Sequence, residues 1–267
     1  MPASDSALLE PFLAAPERCA VLMDVDGTLA PIVQRPEDAA VPAETAAALT
    51  RLAERFGLVA CVTGRRALEA RRMVGVPELV YAGNQGFELL MPGDDQPKVD
   101  PAANPSADRA QKFLAGLEPQ QRFERVGIRQ EDKGPIQVLH WRGAPDEEKA
   151  SELAEAIATL ASHAGLIPLW GRKVLDLRPA AGVDKGTAVH RLLVDRAPLD
   201  AAIFAGDDRT DLDAFRAMAR LAGSSRLGTA VRVGVFTEES PAEISEEADM
   251  VVTGTAGVLD ILRRLGA

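Results

Sequence analysis

The chain has 267 residues, 46 % of them hydrophobic, and a formal net charge of −10. This length accommodates one large domain, or a core with a smaller companion. The acidic balance argues against nucleic acid as a partner, since that needs a basic face. No run is long enough to span a membrane.

Two cysteines, Cys19 and Cys61, lie in apolar runs outside any CxxC or Cys/His array, and read as buried reduced thiols. The first eighteen residues lack a basic start, so no signal peptide is expected. The expectation is a soluble, cytoplasmic monomer.

In chain order, "CAVLMDV" (19–25) predicts a buried strand and "PAETAAALTRLAERFG" (42–57) a helix, with Pro42 suited to its first turn and Gly57 to its end. "LVACVTG" (58–64) is a second strand, 65–74 a helix and "LVYAG" (79–83) a third strand. Alternating strand and helix implies a parallel sheet with helices on both faces. Residues 91–108 are rich in Pro, Gly and Asp and read as a linker.

The order then changes to helix (107–118), strands (122–130 and 135–142), helix (145–164) and strands (166–171 and 173–178). A hairpin turn is expected at Lys133, Gly134 and Pro135. After Pro179 the first pattern returns: helix 184–195, strand 201–207, helix 210–221, strands 231–236 and 249–254, and helix 256–265. The predicted fold class is α/β, a Rossmann-like core with a parallel sheet and helices on both faces, plus an inserted α/β cap. The core is expected over 1–104 and 180–267, the cap over 105–179.

Open α/β sheets bind ligands at the carboxyl ends of their strands. Asp24 and Asp26 end the first strand, Thr63 and Gly64 the second, and "GDDRTD" (206–211) the strand after the cap, while Lys185 opens a helix. If these strands are neighbours, the groups converge. Asp24, Asp26 and Asp207 form a hard oxygen set suited to Mg²⁺. Thr63 can hold a phosphate oxygen, and Lys185 is a point charge for phosphate or for the acidic cluster. One carboxylate can act as nucleophile and another as general acid.

A calcium loop starting at Asp24 would need Gly at position 29 and Glu at position 35, where Leu29 and Arg35 stand. Neither a P-loop nor a GxGxxG fingerprint occurs. Taken singly, "GDDRTD" is a helix-capping loop, Thr63 a strand end and Lys185 a surface lysine; their combination points to chemistry. His163 and His190 read as structural, and Phe87, Trp141 and Trp170 as core. Glu131, Asp132 and Lys133 fit a charged hairpin tip as well as a binding cluster. His140 and Arg142 are expected to share one face of a strand.

"DVDGTL", "VTGR", "DKG" and "GDDRTD", in this order, resemble the four motifs of haloacid-dehalogenase-type phosphatases. The resemblance implies Asp24 as nucleophile, Asp26 as general acid/base and a ligand through its carbonyl, Thr63 and Lys185 as phosphate-site residues, and Asp207 as a metal ligand. Asp208, Asp211, Gly64 and Arg65 would support them. A narrower resemblance is to the trehalose-6-phosphate phosphatases, carried by "DGTLAPIV", "QEDKG", "HWR" and "KVLDLRPAAGVDKGTAV". It implies substrate contacts at Glu131, Lys133, His140 and Arg142, with Glu88 and Asp176 in supporting or contacting positions. Gln85 stands where that family usually has His, and Asp176 where it usually has Glu. The expectation is a Mg²⁺-dependent phosphatase acting on trehalose 6-phosphate, a small-molecule sugar phosphate. A phosphatase for another sugar or glycosyl phosphate, a phosphomutase, and a non-catalytic sugar-phosphate sensor are the alternatives.

Overall fold

The computed structural model describes residues 5–33, 38–101, 108–118, 122–171, 173–180, 182–195 and 199–267. The chain divides into two units, Met1–Val99 with Val183–Ala267, and Asp100–Gly182. The larger begins with α1 (Asp5–Ala14), β1 (Cys19–Met23), α2 (Ala43–Ala53), β2 (Leu58–Val62), α3 (Ala67–Val74), β3 (Val80–Gly83), β4 (Glu88–Leu90) and β5 (Lys98–Val99). The inserted unit holds α4 (Arg109–Ala115), β6 (Arg129–Lys133), β7 (Ile136–His140), α5 (Glu147–His163), β8 (Leu166–Gly171) and β9 (Val174–Pro179). The larger unit resumes with α6 (Lys185–Val194), β10 (Ala201–Gly206), α7 (Asp211–Gly223), β11 (Thr229–Phe236), α8 (Ala242–Glu247), β12 (Met250–Thr253) and α9 (Gly254–Leu265).

The large unit is built on one sheet in the order β12-β11-β10-β1-β2-β3-β4-β5. The six strands from β12 to β3 are parallel; β4 and β5 add an antiparallel edge. Strand β1 is apolar throughout because both its faces are covered. Cys19, Val21 and Met23 pack towards α1, α2, α3 and α9. Ala20 and Leu22 pack towards α6, α7 and α8. Both cysteines are buried and unbridged. Among the described residues, no helix is long and apolar enough to cross a membrane.

The inserted unit has a four-stranded antiparallel sheet, β6-β7-β9-β8. Leu139, Leu175, Leu177 and Leu166 point to one side and pack with α4 and α5 around Ala154 and Ile157.

Several elements depart from expectation. Residues 91–108 are not all linker, since β5 lies inside them; residues 102–107 fall outside the described ones. The strand expected over 122–130 begins only at Arg129, because Phe123–Val126 form a 3₁₀ turn that Gly127 closes at φ 80°. This turn places Phe123 and Ile128 in the core of the inserted unit. Strand β7 ends at His140, so Arg142 sits exposed in the following turn and does not share the strand face of His140. Phe87 and Trp141 are core residues as expected, but Trp170 is 47 % exposed.

Candidate active site

Strand β1 has β10 on one side and β2 on the other, all parallel. Asp207, Asp24 and Thr63 therefore follow three adjacent strand ends on the same edge of the sheet. The ladder continues one residue past β1, with the Asp24 N–H donating to Ala205 O at 2.9 Å. The chain then turns sharply: the Gly27 N–H donates to Ala30 O, and the Leu29 and Ala30 N–H groups both donate to Val25 O.

Position 27 admits only glycine. Its φ is 82°, and a Cβ there would lie 2.1 Å from Asp207 Oδ2. The Thr28 hydroxyl donates to Asp207 Oδ1 at 3.1 Å and ties the two loops together. Thr28 is fully buried, and nothing in the single-residue reading singled it out.

Asp211 is the hub. Its Oδ2 accepts from the N–H groups of Asp207 and Asp208, both at 3.0 Å. Its Oδ1 accepts from Lys185 Nζ at 2.7 Å. Gly206 makes room for it, since a Cβ there would be 2.3 Å from Asp211 Cγ. Lys185 is 2 % exposed and also reaches Asp24 Oδ1 at 2.9 Å. It is delivered by the first turn of α6, whose N-cap Asp184 accepts from the Thr187 N–H at 2.7 Å. Asp208 caps the next loop, accepting from the Thr210 N–H and hydroxyl.

Negative charge is in surplus. Burial pushes the Asp24 carboxyl up to about 7 despite Lys185. Burial and the neighbouring Asp211 and Asp208 push Asp207 up to about 8. Burial opposes the Lys185 ammonium, but Asp211, Asp24 and Asp208 outweigh it and hold its pKa well above the usual lysine value.

Asp24, Asp207 and Asp211 each offer an oxygen within 4.8 Å of the others. This donor set fits a hard divalent cation, and the raised carboxyl groups are what a site short of one positive partner shows. Asp211 already takes three hydrogen bonds, so Asp24 and Asp207 keep the most capacity. The Asp26 side chain is outside this group. Its carboxylate takes both prongs of the Arg65 guanidinium at 2.7 Å, which leaves its carbonyl as the group that could join a metal. Arg65 also pairs with Glu69.

Thr63 follows β2, with its N–H donating to Ala82 O and its hydroxyl oxygen accepting from the Arg65 N–H at 3.2 Å. The loop after β3 lies over it: the Gln85 N–H donates to Thr63 O at 2.8 Å, and Asn84 and Gln85 both adopt left-handed backbone. Glu88 does not offer a free carboxylate for substrate. Its oxygens accept from the Ala67 N–H at 2.8 Å and from Arg66 Nε at 3.3 Å, so it holds the start of α3.

In the inserted unit, His140 Nε2 and Glu131 Oε2 are 2.9 Å apart, and Lys133 Nζ lies 3.6 Å from Glu131. Burial works against the Glu131 carboxylate, but His140 and Lys133 overcome it and hold its pKa below the usual value. Glu131 stands opposite Val138, and Val138 opposite Asp176, so Asp176 shares this face. Arg178, two residues on, belongs to it as well. It is 6 % exposed, bonds Asp176 at 3.0 Å, and has a buried Nε with no partner among the described residues. Sequence reasoning passed over Arg178, although its two-residue spacing from Asp176 on a strand was a usable signal.

A doubly wound sheet with acids, Thr63 and Lys185 along one carboxyl edge and an α/β unit inserted between its halves is the haloacid-dehalogenase-like hydrolase fold. A hydrolase of that description from Bacteroides thetaiotaomicron shares it at TM-score 0.60 and 15 % identity, over 92 % of this chain and 98 % of that one. The chain belongs to the trehalose-phosphatase family, whose model matches residues 22–250. A trehalose-phosphate phosphatase of Mycobacterium avium is 37 % identical over 203 residues, 74 % of this chain and 51 % of that protein. A trehalose 6-phosphate phosphatase of Zea mays is 32 % identical over 275 residues, 97 % of this chain and 73 % of that protein. The C-terminal domain of the C. albicans trehalose-6-phosphate phosphatase has the same fold at TM-score 0.79 and 22 % identity, over 99 % of this chain and 97 % of that one. The chain spans about half the length of the Mycobacterium avium relative.

Proposed function

We propose that the chain is a Mg²⁺-dependent phosphatase that hydrolyses trehalose 6-phosphate to trehalose and phosphate through an aspartyl-phosphate on Asp24. The observation that carries this reading is the buried Asp24 at the end of β1, 2.9 Å from an equally buried Lys185. A carboxyl group held just past the end of a central strand beside a lysine suits attack on phosphorus once ionised.

In the first step an Asp24 oxygen bonds to phosphorus, and the sugar oxygen leaves with a proton from Asp26. In the second, water gives a proton back to Asp26 and attacks phosphorus, which releases phosphate and restores the Asp24 carboxylate. Lys185 steadies Asp24, and the Thr63 hydroxyl, which among the described residues only accepts, from the Arg65 N–H, keeps its proton for a phosphoryl oxygen. Delivery of a proton by Asp26 requires its pairing with Arg65 to open, and the freed guanidinium then suits an anionic substrate. Asp24, Asp207 and the Asp26 carbonyl would hold Mg²⁺, which supplies neutralisation of phosphoryl charge.

Glu131, Lys133, His140, Asp176 and Arg178 are the candidate sugar readers. Donors and acceptors crowded on one sheet face suit hydroxyl groups, and a site built for hydroxyls rejects ligands lacking them. The test is phosphate release with Mg²⁺ from trehalose 6-phosphate, glucose 6-phosphate, sucrose 6-phosphate and a glycosyl phosphoglycerate. Trehalose 6-phosphate should have the highest kcat/KM. A clear win for another ester overturns the substrate, and no phosphate release from any of them overturns the chemistry.

A further inference from the structure

The inserted unit has a concavity on the other side of its sheet from Glu131 and His140. Trp170 stands directly opposite Leu175 across the β8–β9 ladder. Opposed residues share a face, and Leu175 belongs to the core beneath α4 and α5. Trp170 is therefore on the helical side. Leu169, opposite Asp176, is on the side of Glu131.

A cavity of about 640 Å³ opens there, lined by Trp141, Trp170, Lys173 and the α5 side chains Glu148, Ser151 and Glu155. That volume is within the range of small-ligand sites. The two indoles meet edge to face, with centroids 6.0 Å apart and planes at 81°. Trp141 is 5 % exposed and anchors the pair; Trp170 is 47 % exposed and presents a ring. Lys173 ties the hairpin down. Its carbonyl accepts from the Trp141 N–H at 3.1 Å, its ammonium pairs with Glu147, and its φ is 59°, a rare value for a residue with a side chain. Glu148, Ser151 and Glu155, at i, i+3 and i+7, follow one stripe of α5 over about 10 Å.

The Lys173 charge is balanced by Glu147, so Glu148 and Glu155 leave the cavity negative and repel a phosphate ester, while the ammonium keeps further N–H groups to donate. A cation would use the carboxylates and the indole face but leave the donors Ser151 and Lys173 unmatched. The lining instead mixes acceptors with the donors Ser151 and Lys173 beside an exposed indole. Hydroxyl groups donate and accept at once, and the C–H faces of a sugar ring stack on an indole. We propose that this cavity binds a neutral mono- or disaccharide and discriminates against phosphorylated ones. The inference concerns binding by this unit and stands whether or not the phosphatase reading holds.

The chain has only two tryptophans, Trp141 and Trp170, so intrinsic fluorescence reports on this cavity without a label. The test titrates the full chain with trehalose, maltose, glucose, glucose 6-phosphate and spermidine, following fluorescence and heat together. A saturable response to a neutral saccharide is expected, weakened about tenfold or more by Trp170→Ala. Glu155→Gln, an isosteric change on an exposed helix position, should weaken it too, while Glu131→Ala leaves it. No saturable response to any neutral saccharide overturns the proposal. So does a response to spermidine or glucose 6-phosphate alone. A response unchanged by Trp170→Ala and Glu155→Gln but lost in Glu131→Ala assigns the sugar to the opposite face and overturns it as well.

Discussion

At the scale of single residues, Asp24 and Lys185 carry the most demanding prediction. An amide cannot form the acyl phosphate, so Asp24→Asn should leave no measurable steady-state phosphate release. Asp26→Asn should retain a trace, since losing a general acid costs roughly 10²–10⁴-fold. Near-normal turnover in Asp24→Asn sinks the nucleophile assignment. Lys185 neutralises two buried carboxylates, Asp24 and Asp211. Breaking a buried pair strands the remaining charge at a cost of about 3–5 kcal/mol. Lys185→Met should therefore lower the urea midpoint of the chain sharply, and an unchanged midpoint would show that Asp24 and Asp211 tolerate its loss. The carboxylates were visible in the sequence because DxDG and GDDRTD are short. The Asp26–Arg65 pairing was not, because its partners are 39 positions apart and no local pattern links them.

At the scale of elements, legibility followed burial. Strands β1, β2 and β10 are covered on both faces, so they are continuous apolar runs that stand out. Helix α1 was hidden by Pro11 within it, although Leu9 and Phe12 are buried. Strands β4 and β5 have three and two residues, too few to show a period. Arg142 leaves the strand face of His140 because the chain turns after Trp141: the Ala144 N–H donates to Trp141 O, and Gly143 has φ 77°.

The β1 loop offers a backbone test. Gly27→Ala would force a side chain into left-handed backbone and against Asp207, so a loss of about 2 kcal/mol or more is expected. Chemical denaturation checks it, and a neutral change would mean that the loop and Asp207 can part freely. Asp249, the residue before β12, accepts from Arg232 on β11 through both oxygens, at 2.7 and 2.9 Å. Burial opposes its charge, but Arg232 outweighs burial and holds its pKa below the usual value. A lowered carboxyl pKa stabilises above the unfolded value, near 4, and this contribution is lost as pH falls through the folded value. The gap in urea midpoint between the wild type and Arg232→Gln should therefore be open at pH 7 and narrow steadily below pH 4. A constant gap would remove the ion pair as its source.

At the scale of the whole molecule, the acidic surplus couples metal to stability. Mg²⁺ that binds the folded chain and not the unfolded one raises the melting temperature, by about 2.7 kcal/mol of stabilisation at a hundredfold excess over Kd. Thermal melts with EDTA and with Mg²⁺ should differ in the wild type and converge in Asp207→Asn. A metal-induced shift of full size in Asp207→Asn would place the cation elsewhere.

The insertion also divides the site along the chain: Asp24, Asp26 and Thr63 precede residues 100–182, while Lys185, Asp207 and Asp211 follow them. During synthesis β1, central in the finished sheet, gains β2 early but waits for β10, whose first paired residue is Ala201. At ribosomal rates of about 5–20 residues per second, the hundred residues between β5 and β10 take roughly 5–20 s. Through that interval the first half exposes an unpaired strand edge, and its acids wait for Lys185 until residues 100–184 have been made; the inserted unit, contiguous and with its own core, is complete before β10 appears. Vectorial synthesis should thus let the insertion fold before the large sheet can be completed. Nascent chains arrested with residues up to 195 exposed should resist protease across 109–179 and be cut within 19–99. The half of the site that synthesis delivers first is the half most dependent on what has yet to be made.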